Sequence, residues 1–208
     1  MKYILDFNRN ILEFEKNHQW YNAANLLYEL WLADKSSINN LICAGTECWF
    51  GILAMDYDKH DPNNNTAFDA YAENQLYDML SCITQYGFAH FLDNAVFNAY
   101  FGYMIKTMPY FFLNYSGDYE RWQAKGIQMM EFSSILEPNN PFTKAISYEP
   151  GSATNDTLYR DACKELWSKT TLAEWGNSAV QRYFFGVLYG DLFTSGLTDG
   201  RTGDGTLS

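Results

Sequence analysis

The sequence has little of what a β-sheet protein needs. Valine occurs only three times in 208 residues, and no stretch alternates apolar and polar residues over the length of a strand. Aromatic residues make up 18% of the chain and apolar residues 47%, which excludes a disordered polymer. We therefore expect a packed protein without a sheet.

Positive charge is also scarce. The chain has 14 Lys and Arg against 25 Asp and Glu, a net charge of −11. Residues 51–100 carry one basic residue, Lys59, against seven acidic ones, so that quarter alone contributes −6. Nucleic acids and anionic membranes bind through basic surfaces, and the sequence predicts neither as a partner. A charged partner, if there is one, is expected to be a basic protein.

The familiar catalytic and cofactor motifs are missing as well. We find no phosphate-binding glycine loop, zinc-ligand spacing or dinucleotide fingerprint, and so expect no cofactor, no metal and no enzyme activity. No run approaches the roughly 18 apolar residues of a membrane span, and the first 16 residues lack a secretory-signal pattern. Four cysteines lie in apolar helix faces, where we expect buried thiols in a cytoplasmic protein: Cys43, Cys48, Cys82 and Cys163.

Histidine and glycine patterns give only weak indications of a metal site, a catalytic pair or a close helix contact. His60 stands among Asp56, Asp58 and Asp61, but without the spacing of a calcium loop, so a solvated acidic loop after Met55 is the favoured interpretation. His90 and Asp93 have the spacing of an orienting pair, yet no nucleophile motif accompanies them, and helix capping or a core position is favoured. The Gly186–Gly190 spacing indicates close helix packing.

What the chain does contain is helical periodicity. Apolar residues recur at helical spacing on both sides of the polar break at 34–37, which predicts an antiparallel helical hairpin over 20–52. Small residues occur where the two helices would approach closely. The inward positions are Trp20, Ala23, Ala24, Leu27, Leu30, Trp31, Leu41, Ala44, Gly45, Cys48, Trp49 and Ile52.

The same patterning continues along the chain. Further helices are predicted over 5–17, from a Thr66 cap to Tyr86-Gly87, over 94–107, over 117–136 and over 155–169. A capping box, Thr171 to Glu174, is expected to open the last helix. The predicted fold is all-α, built of stacked antiparallel hairpins, with one domain over 1–196 and a flexible polar tail over 197–208.

Part of the chain resembles the tetratricopeptide repeat. The residues that carry the resemblance are Ala23, Asp34, Leu41, Ala44, Gly45 and Cys48, with a second stretch from Gly117-Asp118 to Pro138 and Pro141. Lys35 stands where the repeat usually has proline, and the second stretch is about one helical turn too long for a repeat of about 34 residues. The resemblance implies an irregular helical-repeat fold and no particular activity.

One surface patch stands out as a candidate binding site. Carboxylates crowd residues 56–78 and alternate with aromatic residues, and like charges at this density do not favour folding. They form either a solubilising surface or a docking face for a basic protein, in which tyrosines supply the anchors. The candidate partner-binding residues are Asp56, Tyr57, Asp58, Asp61, Asp69, Tyr71, Glu73, Tyr77 and Asp78. Asp69 and Glu73 are expected to lie off the apolar stripe of their helix.

In size, acidity and helical build the chain resembles bacterial immunity proteins of the contact-dependent growth inhibition type. That resemblance implies a cytoplasmic protein that neutralises a cognate basic, nucleic-acid-cleaving toxin domain by direct contact. The alternative is a tetratricopeptide-like chaperone or adaptor that holds a peptide in a groove lined by Asn22, Asn25, Tyr28, Asn39 and Asn40. An enzyme built around the His60 or His90 carboxylates is the third alternative.

Overall fold

Every regular element that the structure describes is helical. The computed structural model describes residues 9–60, 69–113, 118–148, 153–169 and 176–194. The elements are α1 (Arg9–Lys16), α2 (Trp20–Ala33), α3 (Ile38–His60), α4 (Ala70–His90), α5 (Ala95–Thr107), a 3₁₀ turn (Pro109–Phe112), α6 (Tyr119–Leu136), α7 (Pro141–Ser147), α8 (Ala153–Lys169) and α9 (Ala179–Thr194). The all-α prediction is confirmed for these residues.

Helices α2 and α3 pack against each other as the predicted hairpin. The turn between them closes on Asp34, whose Oδ1 accepts hydrogen bonds from the backbone N–H and the hydroxyl of Ser36 at 3.2 and 2.6 Å. Ala23 and Ala44 are fully buried, as their small size at a helix contact requires. Leu30 is 42% exposed, so its predicted inward position is wrong. The adjacent Trp31, also predicted to point inward, is fully buried.

Helices α5 and α6 pack together over most of the length of α5, and glycine makes their closest approach possible. A Cβ on Gly126 would lie 2.7 Å from the carbonyl oxygen of Gly102 and 2.9 Å from the Cα of Lys106. Both distances are below ordinary van der Waals contact. The α5–α6 crossing therefore depends on the missing side chain of Gly126.

The last described helix, α9, packs against α3 of the α2–α3 hairpin as well as against α8. Trp49 of α3 lies edge-on to Tyr183 of α9, with ring centroids 5.4 Å apart, and is also close to the ring of Phe184. Trp49 is completely buried. One core therefore connects α3 in the first half of the chain with α9 near its end.

Two predicted helix ends are wrong. Helix α3 continues to His60, although a loop was predicted from Asp56 onward. No residue before Pro62 breaks a helix, and polarity alone does not end one. Helix α4 continues through Gly87 to His90. Gly87 is a packing position, since a Cβ there would lie 2.6 Å from Cζ of Phe97.

Several smaller expectations also need correction. Cys82 is exposed, whereas the other three cysteines are buried as predicted. Gly186 has open space around its Cα, so close helix packing at that glycine is wrong. Pro141 was expected to help stop α6, but α6 already ends at Leu136, before Pro138, and Pro141 begins α7, where the Asn140 side chain accepts from the N–H of Phe142.

The helix starts show where local capping decided the boundary. Asp118 caps α6 by accepting from the N–H of Arg121, close to the predicted start. Helix α9 begins at Ala179, later than predicted. Ser178 and Gln181 cap this start, because the side chain of each accepts a hydrogen bond from the backbone N–H of the other. The Thr66 cap, the capping box at 171–174 and the 197–208 tail lie outside the described residues.

Candidate protein-binding face

The predicted site residues fall on two adjacent elements. Asp56, Tyr57 and Asp58 lie in the last turns of α3, and Tyr71, Glu73, Tyr77 and Asp78 lie on α4, which packs against α3. Asp69 immediately precedes α4, and Asp61 is outside the described residues. Tyr57 is 73% exposed and Tyr71 69% exposed, so both phenol rings stand largely in water.

Asp56 and Glu73 converge on a half-buried tyrosine. The ring of Tyr77 packs edge-on against Phe111 of the 3₁₀ turn, with centroids 5.7 Å apart. Burial raises the pKa of the Tyr77 phenol to about 12, and the negative charges of Glu73 and Asp56 contribute in the same direction. Glu73 and Tyr77 are four residues apart and so share one side of α4.

The structure adds two tyrosines that the sequence did not indicate. Tyr110, in the 3₁₀ turn, is 47% exposed, and partial burial followed by the charge of Asp56 raises the pKa of its phenol. Tyr119, at the start of α6, is 45% exposed, and its phenol also contributes to the raised pKa of Tyr110. We define the tyrosine–carboxylate face as Asp56, Glu73, Tyr77, Tyr110 and Tyr119. It combines residues from four elements, and only their proximity in space identifies it.

Tyr71 and Asp78 do not share the side of α4 that faces the 3₁₀ turn. They are seven residues apart, which places them together on a different, exposed side of the helix. The predicted patch is therefore divided into two parts, and only Glu73 and Tyr77 of α4 belong to the tyrosine–carboxylate face.

Asp58 has a structural role that its predicted position as an exposed docking residue did not include. Its Oδ2 lies 3.0 Å from Nδ1 of His18 and accepts a hydrogen bond from Nε1 of Trp20 at 3.2 Å. The interaction ties the end of α3 to the start of α2 across about 40 residues of sequence. His18 has a positive φ of 55° in the turn after α1, which directs the chain into α2.

Asp69 is likewise committed to the fold. Its Oδ1 accepts hydrogen bonds at 3.0 Å from the backbone N–H groups of Tyr71 and Ala72, so it is the N-cap of α4. A residue off the apolar stripe can thus still support the fold, and replacing Asp69 is expected to destabilise α4. Glu73 lies in the first turn, where a carboxylate also interacts favourably with the helix dipole.

A cleft of about 220 Å³ opens beside these two carboxylates. It lies between the start of α2, the end of α3 and the start of α4. Its lining combines aromatic, amide and charged groups: His18, Gln19, Trp20, Tyr21, Asn22, Met55, Asp58, Lys59, Asp69 and Ala72. Asn22 is the one residue of the predicted peptide groove that contributes to it.

His60 and His90, the histidines considered for a metal or catalytic site, both lie at exposed helix ends. Nε2 of His60 lies 3.7 Å from Oδ1 of Asp56, one turn away on the same helix. His90 is the exposed last residue of α4, with its ring centroid 4.2 Å from that of Tyr86, so a core position is excluded. Among the described residues no group of three or more His, Cys, Asp and Glu side chains is arranged to hold a metal ion.

In the part of the chain that the structure describes, the protein is helical and carries an acidic, tyrosine-rich surface. No described helix is both long and apolar enough to cross a membrane. Comparison of the chain with protein-family models, with curated proteins and with solved structures finds no match. The functional argument therefore depends on the surface chemistry of this chain.

Proposed function

We propose that the protein is a binding protein that neutralises a basic, nucleic-acid-cleaving bacterial toxin domain by direct contact. The observation that carries the proposal is a cluster in which Asp56 lies near Tyr77 and Tyr110, Glu73 near Tyr77, and the half-exposed Tyr119 near Tyr110. In this proposal the protein acts in the cytoplasm, and its helices stack as an irregular tetratricopeptide-like repeat.

The chemistry of the face suits a basic protein surface. Tyrosine supplies a large contact area and a hydrogen-bonding hydroxyl while losing little conformational entropy, and it is enriched among residues that dominate binding energy. Tyr110 and Tyr119 are each nearly half exposed, so a partner would bury substantial ring area. The carboxylates of Asp56 and Glu73 would attract lysine and arginine and direct the approach of the partner.

The charge distribution supports the same class of partner. A toxin domain that cleaves nucleic acid needs a basic groove for its substrate, and an acidic inhibitor can cover that groove. The quarter of the chain that contains Asp56 and Glu73 holds more than half of the net charge of −11. We expect association to be fast and to weaken as salt is added.

The test needs a candidate partner, which we would seek as a short basic toxin domain encoded beside the gene for this protein. The variant Asp56→Lys replaces a carboxylate of the face by a cation. Losing one partner of a close charge pair typically costs about 2–5 kcal/mol of binding free energy, and a charge reversal should cost at least as much. A lysine near the C-terminal end of α3 also interacts well with the helix dipole, so folding should be preserved. Growth protection and the dissociation constant are measured together.

The matched control is Glu131→Lys, which makes the same charge change at an exposed position of α6 outside the face. It should bind nearly as well as the unaltered protein, apart from a small loss of long-range attraction. Equal affinity and equal protection for the Asp56 variant, the control and the unaltered protein would show that the face is a solvated surface.

One observation favours the groove-binding alternative, namely the cleft that Asn22 lines. Two other residues of the predicted groove are already engaged in the hairpin. The Tyr28 ring lies 5.4 Å from that of Trp31, and the side-chain amide of Asn40 donates to the carbonyl of Leu30 at 3.4 Å. A chaperone would lose peptide binding when Asn22 is replaced by leucine and keep it in the Asp56→Lys variant.

A further inference from the structure

Two glutamates meet inside the protein, away from the tyrosine–carboxylate face. Glu47, in the middle of α3, has no exposed surface, and neither of its carboxyl oxygens meets a hydrogen-bond donor among the described residues. Glu15, near the end of α1, is only 6% exposed and faces it. A buried carboxyl group without donors is strongly disfavoured in its charged form, so this arrangement requires an explanation.

Glu15 also contacts the far end of the chain. Its Oε2 accepts a hydrogen bond of 2.8 Å from the backbone N–H of Ala179, the first residue of α9, while its Oε1 meets no donor among the described residues. The N–H of Val180 and the guanidinium of Arg182, both on α9, favour the charged form of Glu15. Glu15 therefore acts as a cap on α9 supplied from a residue 164 positions earlier in the chain.

The two carboxyl groups can bond to each other only through a proton. Ionised carboxylates are acceptors alone, whereas a protonated carboxyl has one O–H to donate. Burial, followed by the charge of Glu15, raises the pKa of Glu47 well above its usual value, and burial also raises that of Glu15. Cys48, beside Glu47 on α3, offers no compensating positive charge, because burial raises the pKa of its thiol too.

We propose that Glu15 and Glu47 form a proton-dependent latch that holds α1 against the N-terminus of α9. In the closed latch Glu47 keeps its proton and donates it to Oε1 of Glu15, whose Oε2 caps Ala179. When the shared proton is lost, two negative charges face each other in the interior, although the guanidinium of Arg182 on α9 favours the charged form of Glu15. The contact between α1, α3 and α9 then opens locally.

The direction of the pH dependence follows from the raised pKa of Glu47. In the unfolded chain this carboxyl titrates near its usual 4.5. The stability that the latch contributes is fully present below that value. It is lost as the pH rises from there through the raised pKa of the folded protein. The protein should therefore loosen at α1 and α9 on the alkaline side.

The first experiment follows single backbone amides of the unaltered full-length chain by hydrogen exchange over a pH series. After correction for the intrinsic exchange rate, protection of the Ala179 amide should fall by about tenfold for each pH unit over which the folded protein holds the extra proton. The reference is the amide of Phe97, which donates to the non-titrating side chain of Asn94 at 3.0 Å. Protection of the Ala179 amide that stays unchanged across the pH series would overturn the proposal.

The second experiment uses Glu47→Gln, since its side-chain amide can donate to Glu15 at every pH. This variant should show no pH dependence of Ala179 protection and a flatter dependence of its unfolding midpoint in urea than the unaltered protein. Glu131→Gln, a change at an exposed glutamate, should behave as the unaltered protein does. A Glu47→Gln variant with the full original pH dependence would overturn the latch. If this variant does not fold, the amide measurement on the unaltered chain still decides.

Discussion

Replacing Gly126 by alanine tests the close approach of the α5 and α6 backbones. The new Cβ would lie 2.7 Å from the carbonyl oxygen of Gly102 and 2.9 Å from the Cα of Lys106, both in the backbone of α5. A backbone has no alternative rotamer, so α5 and α6 would have to move apart along their contact. Overpacking of this kind typically costs about 1–3 kcal/mol, and a backbone clash belongs near the upper limit.

The matched control is Gly186→Ala in α9. It is the same change inside a helix, but nothing lies within 4 Å of the added Cβ. Alanine is favoured over glycine in a helix interior by about 1 kcal/mol, and both variants gain this. The expected result is stabilisation of about 1 kcal/mol for the control and a net loss of about 2 kcal/mol for Gly126→Ala.

Both variants are compared with the unaltered protein by urea unfolding and by thermal melting followed by circular dichroism. For a chain of this length, 1 kcal/mol corresponds to a shift in Tm of about 2–4 °C. The control should therefore melt about 2–4 °C higher and Gly126→Ala about 4–8 °C lower. Equal stabilisation of both variants would refute the inferred close approach of α5 and α6.

Two further predictions concern the elements that support the binding face. Asp69→Ala should lower the free energy of unfolding by about 1 kcal/mol, because α4 loses its cap. The control, Asp78→Ala at an exposed position, should change it by less than about 0.5 kcal/mol. Urea unfolding compares the two variants, and equal effects would argue against the cap. Gly45→Leu should destabilise by at least about 1–3 kcal/mol, because even a Cβ at this position would lie 3.2 Å from Cε2 of Phe101. An unchanged Tm for that variant would place Gly45 away from its neighbour helix.

Local patterns in the sequence were sufficient to predict most of the helices. Apolar spacing alone located α2 and α5, and the Asp118 signal located the start of α6 within a residue or two. These features depend on residues three or four positions apart, which the sequence displays directly. Helix ends were less well predicted, because polar residues such as Asp56 and Asp58 continue a helix as long as no proline or competing cap stops it.

The candidate site was predicted only in part. The concentration of carboxylates near residue 56 and on α4 is a property of composition, and the sequence is sufficient to show it. Which of them remain available to a partner depends on hydrogen bonds. Asp58 is bound by Trp20 and Asp69 by the first amides of α4, while the negative charges of Asp56 and Glu73 help to raise the pKa of the Tyr77 phenol.

By itself, the sequence determined an all-helical, acidic protein with a hairpin over 20–52, because helical periodicity, small-residue spacing and charge are local or additive properties. The tertiary structure alone decided that Tyr110 joins Asp56 and that Glu15 meets both Glu47 and the start of α9. These pairs are separated by tens of residues or more. Their proximity is set by how helices pack, and packing depends on the shapes of many side chains at once, which no short spacing encodes.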